Sequence, residues 1–165
     1  MGTSGYGMGN ATPVAEFNVY KDAAAYKRML EGGVEVTVVS FDLCRTAQWT
    51  EEDFEDISKL NETGSFVEKC YRKVREYEAS NGLADGTCMT DVLAMMCVVC
   101  TGFVKDQVRC YASCITDPGE TYGQVIFYRE SVSYNLVDDC NDYNVMLVTE
   151  VDGGAFYKLF KEKII

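Results

Sequence analysis

Apolar positions recur along this chain at two spacings, about 3.6 residues and about two, and predict an ordered series of helices and strands. Residues 34–41, VEVTVVSF, are rich in β-branched side chains and predict a buried strand. Further strands are predicted at 108–114, 124–128 and 144–151. Between and around them lie helical patterns. Residues 22–30 form a short helix stopped by Gly32-Gly33. Thr50 caps the next helix, with Glu51, Glu52 and Asp53 in a first turn where acids suit the helix dipole. Ser65 and Glu68 make a capping box for a further helix, with Val67, Cys70, Tyr71, Val74 and Tyr77 on one face and Asn81-Gly82 at its end. After a loop over 83–89, Thr90 or Asp91 caps an apolar helix reaching about Val104, and a final helix spans 154–163.

Helices and strands partly alternate, and then strands cluster. This pattern predicts an α/β fold: a mixed, mostly parallel central sheet with helices on both faces and part of the sheet antiparallel. Proline stands only at positions 13 and 118, and no linker or repeat interrupts the chain, so residues 1–165 are expected to form a single domain.

Composition narrows the chemistry. Lys+Arg is 15 and Asp+Glu is 26, a formal net charge of −11, and histidine is absent. That charge repels phosphate backbones, so nucleic acid is not an expected partner. Without histidine there is no Ser-His-Asp or Cys-His catalysis and no His-ligated metal. Chemistry must rest on carboxylates, hydroxyls, thiols or amides. No apolar run approaches the ~20 residues of a membrane span, and no basic segment followed by an apolar one marks a signal peptide. A cytoplasmic protein with no membrane partner is expected.

The eight cysteines then read mainly as core thiols in a reducing compartment. Cys97-x2-Cys100 and Cys110-x3-Cys114 have zinc-like spacing, but Cys97 and Cys100 lie in a stretch, 92–100, that reads as a buried helix.

Two segments could carry chemistry. Residues 1–9 hold four glycines, a loop whose backbone must pass close to something. Directly after it, residues 10–18 place Asn10, Glu16 and Asn18 within one short stretch. Amides and a carboxylate make paired hydrogen bonds of the kind a polyhydroxylated ligand asks for, although Asx turns and helix caps use the same residues. In the second segment, Asp91 opens an apolar helix, as a hard-cation ligand or as a cap.

Together these segments resemble the inosine/uridine-preferring nucleoside hydrolase family. Gly9-Asn10, Thr12-Pro13 and Ala15-Glu16-Phe17-Asn18 are similar to its GN-x-TP-x-AEFN segment. Met89-Thr90-Asp91-Val92-Leu93-Ala94 resembles its MHD-x-LA segment. Residues 22–25, 38–43, 121–124 and 144–156 resemble further family segments, in order, so the likeness covers nearly the whole chain.

The resemblance implies calcium-dependent hydrolysis of the N-glycosidic bond of ribonucleosides, giving ribose and free base. It places Asn10, Glu16 and Asn18 on sugar hydroxyls, Met1 near the ribose and Asp91 as a Ca2+ ligand. It also implies oligomers, and a base pocket built from variable loops, for which Tyr6, Tyr77 and Tyr122 are aromatic candidates.

Two departures stand out. The family's DxDxxxDD cluster, which supplies most calcium ligands, is absent; the nearest acidic group is Asp138, Asp139 and Asp142, late in the chain. The family's histidine is Thr90 here, a poor general acid, so no catalytic residue is assigned. The chain is therefore expected to match the C-terminal half of a longer fold. It would be an incomplete or split hydrolase that an N-terminal half completes, or a ribose-binding remnant without turnover. Taken alone, such a half would leave a sheet edge and apolar faces uncovered and would be poorly stable.

Overall fold

Asp22 accepts the N–H of Ala25 at 2.9 Å and opens helix α2 (Ala23–Glu31), as its position before an apolar period predicts. The computed structural model containing it describes residues 1–80, 86–128 and 143–164. Contacts divide the chain into two compact units: Met1–Leu43 with Val104–Glu150, and Cys44–Phe103 with Val151–Ile165.

The first unit carries helix α1 (Phe17–Lys21), α2 and a four-stranded sheet. Its strands are β1 (Val36–Val38), β2 (Val104–Cys114), β3 (Val125–Tyr128) and β4 (Val145–Val151), in the order β1-β4-β2-β3. β1 runs parallel to β4, with Val36 opposite Val145 and Val38 opposite Leu147. β2 and β3 are antiparallel, with Tyr111 opposite Tyr128 and Cys114 opposite Val125. The sheet is thus mixed. Alternate residues of β2, namely Cys110, Ala112 and Cys114, turn inward onto Val19, Ala23 and Leu30 of the two helices. Asn144 extends the ordered ladder: its amide takes the Ala112 N–H at 2.7 Å and donates to the carbonyls of Ala112 (2.9 Å) and Leu30 (3.2 Å).

The second unit is helical: α4 (Glu51–Ser58), α5 (Glu62–Ser80), α6 (Thr90–Val99) and α7 (Gly153–Ile164). The short α3 (Phe41–Arg45) spans the division in sequence. Trp49 is the hub, with the rings of Phe54, Phe156, Tyr157 and Phe160 at 4.9–5.6 Å. Thr50 and Asp53 form a reciprocal capping box at the start of α4. Gly64 lets α5 approach α4, since a Cβ there would lie 1.9 Å from the Ile57 carbonyl oxygen.

Five local expectations change. The predicted strand 34–41 shrinks to β1, because Phe41 gives its N–H to the Thr3 carbonyl and starts α3 instead. The helix expected to start at Ser65 begins at Glu62, where Asn61 Oδ1 accepts the Gly64 N–H at 2.9 Å. The apolar helix stops at Val99, since Cys100 is extended and Val104 begins β2. Neither Thr90 nor Asp91 caps it: Met89 precedes the first turn and no side chain bonds there. Nor is this helix buried throughout, for Met95, Val98 and Val99 are exposed. The expected helix end at Asn81-Gly82, most of the loop 83–89, and the acids Asp138, Asp139 and Asp142 lie outside the described residues.

Candidate functional site

Glu16 is buried, yet its carboxylate is not alone. It caps α1, accepting the N–H groups of Asn18 (2.9 and 3.0 Å) and Val19 (3.2 Å). Asn10 Oδ1 takes the N–H of Phe17 at 2.7 Å. The free N–H groups of this first turn are therefore met by the two side chains that the sequence marks as sugar-binding candidates. The loop before them is folded tightly by backbone bonds from Gly9 to Pro13 (3.0 Å) and from Ala11 to Ala15 (3.1 Å). A Cβ at Gly9 would lie 2.2 Å from the Ala15 carbonyl oxygen, so only glycine fits.

Asn10 and Asn18 are exposed, and the Asn18 amide donates to Met1 Sδ at 3.6 Å. Met1, Asn10, Glu16 and Asn18 are thus gathered around one helical turn. Beneath it, burial above all, together with Cys114 and the Glu16 charge, holds the Tyr26 phenol far above its usual range. The geometry leaves two amides pointing to solvent over a carboxylate that is fixed and desolvated, an arrangement suited to hydrogen-bonding neighbouring hydroxyls.

The glycine-rich loop beside this turn wraps around Asp42. Asp42 Oδ2 accepts the N–H groups of Tyr6 (2.8 Å) and Gly7 (3.1 Å). Its Oδ1 accepts the Leu43 N–H at 2.8 Å and the Ser40 hydroxyl. A Cβ at Gly5, where φ is +72°, would lie 2.0 Å from Asp42 Oδ1. Here is the close approach that the glycines imply. Sequence reading includes Asp42 in the family-like segment 38–43 but gives it no role; the available signal is the pairing of a glycine-rich loop with an acid just past a predicted strand. Thr3, buried, holds a left-handed φ of +75°, a strained conformation for a β-branched residue. Between Ser4–Gly7 and the facing strand β3 lies a cavity of about 290 Å³, where Tyr6 tilts against Phe127 with ring centroids 5.8 Å apart. Of the other aromatic candidates, Tyr122 packs edge-on against Tyr20, and Tyr77 is exposed on α5.

Asp91 and Thr90 sit in the first turn of α6, in the second unit. Asp91 is exposed, and its charge adds to burial in raising the Tyr71 phenol. Calcium takes about 6–8 oxygen ligands. Among the described residues no group of three or more Cys, Asp or Glu could hold a metal ion. The described residues therefore do not by themselves fit a calcium site. The zinc-like cysteines form no such group either: Cys110 and Cys114 are buried on β2, and Cys97 and Cys100 are half-buried. Among the described residues no helix is long and apolar enough to cross a membrane.

Comparison with known proteins gives this cluster its context. The chain is 26% identical to the non-specific ribonucleoside hydrolase RihC of Escherichia coli over 158 residues, 94% of this chain and 48% of that protein. A 53-residue stretch is 42% identical to the pyrimidine-specific ribonucleoside hydrolase RihA of Photobacterium profundum, covering 32% of this chain and 17% of the relative. In structure it resembles a plant nucleoside hydrolase (TM-score 0.89, 21% identity, 99% of this chain and 51% of that one). It also resembles the purine-preferring ribonucleoside hydrolase of Gardnerella vaginalis (TM-score 0.82, 22% identity, 99% and 50%). The chain thus spans about half the length of the RihC relative and of these solved structures. Residues 1–158 match the sequence model of the inosine-uridine preferring nucleoside hydrolases, and the chain belongs to that family.

Proposed function

We propose that this chain supplies the ribose-holding part of a ribonucleoside hydrolase that cleaves the N-glycosidic bond to give ribose and free base. One observation carries the reading: Asn10, Glu16 and Asn18 converge on a single helical turn, with Met1 against it, in a chain of this family. Asn10 and Asn18 offer exposed amides to sugar hydroxyls. Glu16, held by three short backbone bonds, offers a fixed negative charge close to the sugar. Breaking an N-glycosidic bond builds positive charge on the ribose ring, so a preorganised carboxylate there favours the transition state over the ground state.

Asp91 would contribute one carboxylate to a calcium ion. The described residues hold no group of three Cys, Asp or Glu for such an ion, so it would need further oxygen ligands. Thr90 is not a proton donor at neutral pH, so departure of the base relies on other groups. An N-terminal half carrying further aspartates is the partner this reading calls for, in the cytoplasm, as part of an oligomer.

A second reading, a nucleoside-binding remnant without turnover, is favoured by the lone Asp91 and by Thr90. Ribose release from inosine and uridine, measured with calcium after adding an aspartate-bearing N-terminal half, separates the two. Release supports the hydrolase. Nucleoside binding without release supports the remnant, and neither binding nor release with any nucleoside contradicts both.

A further inference from the structure

We propose that Asp42 is a positioning residue for the sugar-binding turn: it locks the glycine-rich loop so that Met1 stands against Asn18. This inference rests on the proposed function for its purpose, but not for its geometry.

The loop is laced to the end of β1 at four points. Gly2 donates to the Val39 carbonyl (3.2 Å), and Phe41 donates to the Thr3 carbonyl (2.9 Å). Tyr6 and Gly7 donate to the Asp42 carboxylate at 2.8 and 3.1 Å. Asp42 is the one side chain among these four links. Each of its oxygens has two donors, Tyr6 N and Gly7 N on Oδ2, and Leu43 N and the Ser40 hydroxyl on Oδ1. A carboxylate offers about four lone-pair sites, so this one is saturated and has none left for a sugar or a metal. Its work is therefore indirect.

That work is needed because the loop is under strain. Thr3 keeps a left-handed backbone between the two backbone links, and Gly5 keeps another above the carboxylate. Such conformations persist where surrounding contacts over-determine them. Met1 precedes Gly2 directly; without Asp42 only the two backbone links at Gly2 and Thr3 oppose the strain at Thr3, and we infer that they do not suffice to keep the Met1 sulfur on the Asn18 amide.

The test is nuclear magnetic resonance on the full chain with labelled methionine methyls. In the wild type, the Met1 methyl should show a through-space contact to the Asn18 side-chain amide. Tyr6 and Gly7 amides should exchange slowly although both residues are exposed. In Asp42→Asn, which replaces one acceptor oxygen by a donor, the Met1–Asn18 contact should vanish. Exchange at Tyr6 and Gly7 should rise about ten- to a hundredfold, with Ala112 unchanged. A folded Asp42→Asn that keeps the contact overturns the proposal. So does wild-type exchange at Tyr6 and Gly7 as fast as in an unstructured peptide.

If Asp42→Asn does not fold, Gly7→Ala serves instead. Its Cβ would lie 2.8 Å from Asp42 Cβ and push the loop away while the carboxylate stays. It should lose the same contact, and retention overturns the proposal. None of these readouts needs turnover, so failure of the hydrolase reading leaves them intact.

Discussion

The side-chain amide of Asn18 reaches the sulfur of Met1 at 3.6 Å, which joins the first residue of the chain to the first turn of α1. Thioether sulfur is a weak acceptor, so this bond is easily exchanged for a better one. The Asn18 amide is therefore placed but not committed. The Glu16 carboxylate, two residues earlier, is committed to the backbone N–H groups of Asn18 and Val19.

Glu16 should accordingly matter for stability before any ligand is present. Glu16→Ala leaves three first-turn contacts without their buried acceptor and should cost about 1–3 kcal/mol. Glu16→Gln keeps one oxygen and should cost less. Urea midpoints of the two variants against the wild type check the order. Equal midpoints for all three would contradict the capping role.

Gly5 and Gly33 separate backbone strain from crowding. Both have positive φ, +72° and +71°, but a Cβ at Gly33 meets nothing within 4 Å whereas one at Gly5 meets Asp42. Gly33→Ala should cost about 1 kcal/mol, the backbone penalty alone. Gly5→Ala should cost on the order of 3 kcal/mol, because the carboxylate must also shift. Denaturation midpoints read the difference directly.

Stability should fall on the alkaline side. Burial raises the Cys114 thiol from 9.0 to about 11. Burial first, with Asp53, Asp56 and Glu52 adding their charge, raises the Tyr157 phenol from 10.0 to about 12. In each case the unfolded chain loses its proton at lower pH than the folded one. The stabilisation is thus complete below the unfolded value and is lost as pH rises towards the folded one. Urea midpoints should decline from about pH 9 upward. Cys114→Ala should flatten the first part of that decline, and Tyr157→Phe the second. Tyr157→Phe should also lose about 1 kcal/mol at neutral pH, with the hydroxyl's 3.0 Å bond to the Asp53 carbonyl.

What the sequence made legible was local. Asp22 and Thr50 cap the helices they precede, and β2, β3, β4 and α7 fall within a few residues of their apolar patterns. What it hid depends on distant partners. β1 is short because Thr3, far earlier in the chain, takes the N–H of Phe41. Asp42 reads as an ordinary turn acid until a glycine loop some 35 residues away folds onto it. In the site, the cluster of Asn10, Glu16 and Asn18 was legible because one short segment holds all three. The capping of α1 by Glu16 and Asn10 also follows from that segment. Asp91 was legible as a residue type, but among the described residues no group of three or more Cys, Asp or Glu could hold a metal ion.

The central claim, that this turn holds the ribose of a nucleoside substrate, is tested most directly at Asn18. Asn18 is exposed, and its side chain, unlike its backbone N–H, bonds only Met1 among the described residues, so truncating it leaves the Glu16 cap in place. The measurement is ribose release from inosine and uridine, with calcium. It uses the chain joined to an aspartate-bearing N-terminal half, once co-elution shows that the halves associate. The account predicts release that depends on nucleoside, and an Asn18→Ala variant whose kcat/KM is about tenfold lower or worse, with an unchanged denaturation midpoint. Release that is undiminished in Asn18→Ala would contradict it.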